Sequence, residues 1–352
     1  MKRLISLPII LSLIAINLEG LTQDYKNTIV SPVLDVAINE TENIIYASSF
    51  HLAWKNLQDK IIKEDVLLEK YIPYVEFLNN TKPAPAGDDC SVNLAGFVKN
   101  GIENEIAREL MQKFNKEIDL SEYTRDKSNI ICYSYFRKEI QFATTFESYG
   151  QPFPFFSSGM LYDTECFGIW NKSNSKHHEE LQKMVKVYDF KNSADFIISI
   201  SNPGEEDEIV IAICSPGGTL NETIKTVLDR IKDSGPTELV DNDRLIIPKI
   251  HIDAHKAFTE LYGVNLMNNN FEEYFFVESR QDVVFTLDES GASADAEAKL
   301  ILKKGPGPRT MMVNRPFLVM MKEKENNQPY FAAWIANPEL LITDHNRILS
   351  GQ

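Results

Sequence analysis

The sequence predicts a fold rich in β-strands. From Gly291 to Lys303 the chain alternates with period two: Ala292, Ala294, Ala296, Ala298, Leu300 and Leu302 fall on one side. Ser293, Asp295, Glu297, Lys299 and Lys303 fall on the other. Successive side chains of a strand point to opposite faces, whereas a helix face needs recurrence at i, i+3 and i+4. The period is therefore that of a strand, although Ala, Glu, Lys and Leu are good helix formers and an exposed tract of them is ordinarily a solvated helix. The apolar runs Ile130-Ile131 and Val210–Ile213 also read as strands. At 352 residues and 43% hydrophobic content, the chain can bury a sizeable core in one large domain or two of ordinary size. No internal repeat is evident, and the linker-like Lys82-Pro-Ala-Pro-Ala-Gly-Asp-Asp reads as a surface loop, not a boundary.

The alternating run is bounded by Gly291 and by Gly305-Pro306-Gly307-Pro308, turn signals that make its far end an exposed, protease-accessible loop. A loop and a buried strand are both open readings of this segment.

These residues resemble a known family, the serpins, whose hinge begins with an acidic residue, a variable one and Gly before small residues and an exposed bait. Here they are Glu289, Ser290, Gly291 and the alanine-rich run. Downstream, Asn314-Arg-Pro-Phe-Leu-Val319 resembles the motif closing that loop, and Phe331-Ala-Ala-Trp-Ile-Ala-Asn337-Pro338 the C-terminal strand. Upstream, Leu245–Ile250 with Pro248-Lys249 resembles a strand, and Ala254–Val264 a short helix with Gly263 as its C-cap. Asp282–Asp288 is similar to the strand leading into the hinge, and Ser128–Lys138, with Phe146 and Phe153, to a central strand and its loop. Leu94–Phe114 is similar to the helix across the sheet, and Ser31-Pro32 to the start of an internal helix. The resemblance is specific over about residues 245–340. It implies an α+β, serpin-like single domain over residues 21–352, with mixed β-sheets, surrounding helices and an exposed reactive-centre loop at about residues 289–313.

Three positions depart from the family: Cys132 stands for an Asn, Ile140 for a Trp and Gln281 for a His. These positions control sheet opening in the family. The region between Pro32 and Leu94 is also short, so one or two peripheral helices are expected to be missing.

The resemblance implies an inhibitor and not an enzyme. A protease acylated by the cut loop is trapped as the hinge enters the sheet as an extra strand. Inward positions must then be small, because packed cores do not accept added volume cheaply, and Ala292, Ala294, Ala296 and Ala298 meet that demand. Counting along the loop places the reactive bond at or beside Gly305. Pro306 disfavours cleavage after Gly305, so Lys304-Gly305 is the expected bond, with Lys303-Lys304 as the alternative bait. Lysine there points to a trypsin-like serine protease; a cysteine protease is also within the family's range. The alternative is a non-inhibitory binding, carrier or chaperone protein whose loop is only a substrate. The resemblance implies a monomer without a cofactor.

Residues 1–20 carry Lys2 and Arg3, an apolar run from Leu4 to Leu18 and a small Gly20. They read as a secretory signal peptide, too short for a comfortable membrane span, and imply an extracellular protein. Asn39-Glu-Thr, Asn79-Asn-Thr, Asn171-Lys-Ser and Asn221-Glu-Thr are glycosylation acceptors in a eukaryotic host. Of the four cysteines, Cys132 and Cys214 lie in apolar runs and read as buried thiols, while Cys90 and Cys166 read as the bridge. A net charge of −15 argues against nucleic acid or an anionic membrane as partner. His251-Ile-Asp253-Ala-His255 has metal-ligand spacing on a strand but sits where exposed polar residues are expected. His177-His178 reads as a surface loop. Ser215-Pro-Gly-Gly-Thr lacks the G-x-S-x-G form of a nucleophile turn.

Overall fold

The computed structural model describes residues 25–138, 140–170, 176–290 and 309–343. The leader, the alternating run Gly291–Leu302, Lys303, Lys304, Gly305 and Asn171 lie outside the described residues.

Along the chain, β1 (Thr28–Ser31) and β2 (Asn43–Ala47) lead into α1 (Ser48–Asn56), which runs on through a π-helical turn, Leu57–Ile62. Helix α2 (Pro73–Asn80) starts at Pro73, where a missing N–H costs nothing. Then come β3 (Ser91–Phe97), α3 (Ile102–Phe114), β4 (Ile130–Phe136), β5 (Glu147–Ser157), β6 (Met160–Ile169) and α4 (Lys176–Met184). The chain continues through β7 (Val185–Asn192), β8 (Asp195–Ile200), β9 (Asp207–Ile213) and α5 (Leu220–Ser234). Thr219 caps α5 by accepting from Glu222 N, while the Glu222 carboxylate reaches back to Gly218 N. The remaining strands are β10 (Thr237–Glu238), β11 (Arg244–Pro248), β12 (Ile250–Ala257), β13 (Arg280–Leu287), β14 (Thr310–Met312), β15 (Phe317–Glu323) and β16 (Phe331–Ile335).

Eight strands form one sheet in the order β1-β2-β16-β15-β9-β8-β7-β10, and four form a second, β14-β11-β6-β5. Two separate two-stranded sheets, β3-β4 and β12-β13, complete the α+β architecture. The central strands of the large sheet are apolar on both faces because both are covered. One face carries Ile211, Val319 and Ala333, with Phe155, Leu245 and Leu287 packed over it. The other carries Val210, Leu318 and Trp334 beneath Leu220, Ile224 and Val227 of α5. Each fully buried Ile, Leu or Val here contributes about 1.5–3 kcal/mol.

Several expectations are corrected. The short helix over Ala254–Val264 is instead the end of β12 and a 3-10 turn at Thr259–Leu261, because Ile250, Ile252 and Ala254 alternate with polar residues and turn inward against β13. Gly263 does end that turn in the left-handed region, at φ 71°. Leu94–Phe97 belongs to β3, and the helix begins only at Ile102, after Gly101 breaks the chain at φ 81°. Ser31-Pro32 ends β1 and starts no helix; Ser31 Oγ donates to Val33 O instead. His177-His178 lies in α4, with His178 buried. All four cysteines are free, so the expected Cys90–Cys166 bridge is absent: Cys166 is enclosed in β6 and Cys90 Sγ turns to Ala86 O.

Candidate functional site

Strand β13 shows why one chain segment can line a gap and feed a loop. Gln281, Val283, Phe285 and Leu287 are buried while Arg280, Asp282, Val284 and Thr286 are exposed, so one face is committed to the core. Among the described residues β13 pairs with β12 alone, in antiparallel register from Ile250↔Leu287 to Ala257↔Arg280. Strand β4 likewise pairs with β3 alone, from Ser91↔Phe136 to Phe97↔Ile130. Helix α1 lies against both β4 and β13.

Contacts near both ends give the two strands the same direction. Just before each begins, Tyr123 Oη donates to Glu278, and Tyr274 Oη to Ser128 O at 3.3 Å. At their far ends Phe136 meets Tyr330 edge-on at 5.8 Å, while Phe285 stacks on Phe331 at 4.3 Å. Burial, and then Tyr135 and Asp282, push the Tyr133 phenol between them up to about 12. A strand turning back from the end of β13 would therefore run antiparallel to both neighbours, the pairing that gives the better hydrogen-bond geometry.

The chain leaves β13 through Asp288 and Glu289. Lys249 Nζ, 12% exposed, lies 2.8 Å from Glu289 Oε2 and 3.4 Å from Glu165 Oε2. Burial alone would lower the Lys249 ammonium, but Glu289 and then Glu165 outweigh it and hold the pKa above its ordinary value. The chain re-enters at Arg309, which meets Asp243, whose side chain is 0% exposed. Arg309 N, Nε and Nη2 reach that carboxylate at 2.7, 2.9 and 2.7 Å, and Val240 N at 3.0 Å. Arg309 also donates to Thr237 Oγ1 and Glu238 O. Sequence reasoning missed this anchor; the lone Arg after Gly-Pro-Gly-Pro was its one signal. Beyond it β14 pairs parallel with β11.

Of the three departing positions, Cys132 lies on β4, Gln281 on β13 and Ile140 shortly after β4. Gln281 Nε2 donates to Ala47 O at 2.8 Å and Ser49 Oγ at 3.0 Å, tying β13 to α1, and its Oε1 is buried without a partner. Cys132 is half-buried on β4, its thiol pushed up to about 12 by burial. Ile140 packs on the main core. Lys138, after β4, forms a 2.6 Å ion pair with Asp207 and fixes the strand's far end to β9.

The competing constellations are accounted for differently. His255 bridges Asp282 at 2.9 Å and Asp253 at 3.2 Å on the exposed face of β12 and β13, and His251 faces Thr286. No cluster of three or more metal-ligating residues occurs among the described residues. Ser215 precedes Gly217 and Gly218, whose N–H groups cap α5 contacts. No helix among the described residues is long and apolar enough to cross a membrane.

Of the expected site residues, Glu289 is placed at the end of β13. Gly291, Ala292, Ala294, Ala296, Ala298, Lys303, Lys304 and Gly305 lie outside the described residues, between the two anchors.

No curated protein matches the chain. Solved structures similar to it include Serpin48 from the insect Tenebrio molitor, at 11% identity over 84% of this chain and 92% of that one, TM-score 0.47. Mouse protein-Z dependent protease inhibitor matches at 13% identity over 84% and 91%, TM-score 0.49. Thyroxine-binding globulin matches at 11% identity over 68% and 65%, TM-score 0.40. The family model described as Serpin (serine protease inhibitor) matches residues 245–338, a span that contains Lys249, Glu289 and Arg309 but not Asp243. Over those residues the chain is similar to the serpin family.

Proposed function

We propose that the protein is a secreted inhibitor of trypsin-like serine proteases. The loop between Glu289 and Arg309 offers Lys304-Gly305 as bait, with Lys303 as the neighbouring alternative. After acylation the freed hinge enters between β4 and β13 and carries the enzyme with it. The observation that carries this reading is the pair of co-directional strands, β4 and β13, each paired on one side only among the described residues. Main-chain pairing to both edges would supply the drive, and the small residues Ala292 to Ala298 would let the strand enter. The likeness of residues 245–338 to protease inhibitors supports the same reading.

The test is incubation of the secreted protein with trypsin, followed by denaturing electrophoresis. A complex that survives denaturation, with a small fragment released from Gly305 onward, is expected; Lys304→Ala removes it with trypsin. Ala294→Arg, which places a large charge inward, turns the protein into a substrate. Clean cleavage with active protease left over, repeated with other serine and cysteine proteases, would transfer the assignment to the second reading.

That second reading is a binding or carrier protein whose loop is only cut. Gln281 favours it, because its amide spends its contacts on β2 and α1 and leaves Oε1 unused.

A further inference from the structure

The sequence offers Asn39, Asn79 and Asn221 as chemically equivalent acceptors, and the fold makes them unequal. Asn39 is exposed in a turn where its Oδ1 accepts from Thr41 N at 2.9 Å and Thr41 Oγ1 at 3.2 Å. Its Nδ2 meets only the surface carboxylate of Glu42. Asn221 is exposed in the first turn of α5, held through its backbone N, which donates to Leu34 O. Asn79 is different: Nδ2 donates to Val66 O at 3.0 Å, and Oδ1 accepts from Trp54 Nε1 at 2.9 Å and Val66 N at 3.3 Å. Its amide joins α1, α2 and the segment at Val66, and Trp54 is 3% exposed.

Glycan transfer from a lipid-linked pyrophosphate oligosaccharide forms an N–C bond from the asparagine amide to the sugar's anomeric carbon, breaks that carbon's C–O bond to the pyrophosphate, which leaves, and gives up one amide proton, so one N–H is replaced by a bulky sugar. At Asn39 that costs one surface contact and at Asn221 the side chain is already in solvent. At Asn79 the sugar would have to displace the Val66 contact and open the packing around Trp54. We propose that, of the three acceptors among the described residues, Asn39 and Asn221 carry glycan in the folded protein and Asn79 is a structural residue kept unmodified. The two acceptors flank one seam, where Ile38 N donates to Gly218 O and Leu220 N to Val36 O. The paired glycans therefore cover the edge beside α5. The loop anchors belong to elements packed on the opposite face of the large sheet, where Leu287 and Met311 lie, so the glycans leave them clear.

The proposal rests on passage through a secretory pathway, which the test separates. The full chain, in an Asn171→Gln background, is expressed in insect cells with its own leader and, in parallel, with residues 1–20 replaced by an established leader. Secreted protein is deglycosylated enzymatically in heavy-oxygen water and mapped by mass spectrometry. Label at Asn39 and Asn221 and none at Asn79 is expected. Asn39→Gln and Asn221→Gln should each remove one gel-mobility step, while Asn79→Gln removes none and lowers the melting temperature. Label at Asn79 in folded protein, or its absence from both Asn39 and Asn221, overturns the proposal. Should Asn79→Gln fail to fold, the wild-type map still decides. Secretion with the substituted leader alone would overturn the leader reading and leave the site assignment to the map.

Discussion

Arg309→Ala should be among the most destabilising surface-reachable substitutions in this protein. The change removes Nε and Nη2 from a carboxylate that is 0% exposed and leaves it only the N–H groups of Val240 and residue 309. Breaking a buried ion pair by deleting one partner costs about 3–5 kcal/mol. The two retained backbone donors place the expected loss near the lower bound, about 3 kcal/mol. Asp243→Asn keeps the volume but turns an amide NH₂ or a weaker acceptor toward the guanidinium, with an expected loss of about 2 kcal/mol. Because both changes destroy the same contact, the double variant should cost less than the sum, with an interaction energy of about 2 kcal/mol. Urea unfolding followed by tryptophan fluorescence measures all three. The Asp243 carboxylate is enclosed and Arg309 only 20% exposed, so most of the effect should persist at high salt, where exposed pairs fade. Single losses below about 1 kcal/mol, or strict additivity, would refute the claim that this pair holds β14 in place.

His51 is buried against Leu78 O, and burial lowers its pKa from 6.5 to about 4. The unfolded chain then binds the proton first, so stability should fall as pH drops from about 6.5 to 4, by up to about 3 kcal/mol, and His51→Gln should flatten that slope. Gly168→Ala should cost about 3 kcal/mol or more, because its Cβ would lie 1.9 Å from Leu245 O at a φ of +156°; a melt showing no change would mean that β6 and β11 can part freely. Lys249→Met should leave Glu289 without its ion pair and hasten proteolytic cutting near Ser290, read as a time course on a gel. Thiol titration should give four free thiols in denaturant and slow reaction in the native state, where burial raises Cys166 and Cys132 to about 12.

Where hydrophobic period and partner choice agree, the fold was legible. Strand β13 is visible as alternation, and β9 and β15 as continuous apolar runs. At Ile250, Ile252 and Ala254 the alternation marks a strand, where the resemblance implies a helix over Ala254–Val264. The helix over Leu94–Phe114 was drawn too long because a left-handed Gly101 carries no propensity signal distinguishing it from a tolerated helix glycine. His178 looked solvated because its sequence neighbours are polar, while its burial depends on which face of α4 turns inward. The Asp243–Arg309 anchor spans sixty-odd positions of sequence and no local rule reaches that far. The gap between β4 and β13 is likewise a relation between strands far apart in the chain.

The two anchors are unequal fasteners. Lys249 and Glu289 are 12% and 24% exposed, so water can compete for both charges; Asp243 is 0% exposed and receives four donors. Like a strap held by two buckles, the connection is expected to open at the upstream, more hydrated buckle first. That would impose an order of release: were the segment cut, its upstream end would be the freer to travel, while the downstream piece would stay seated on β11.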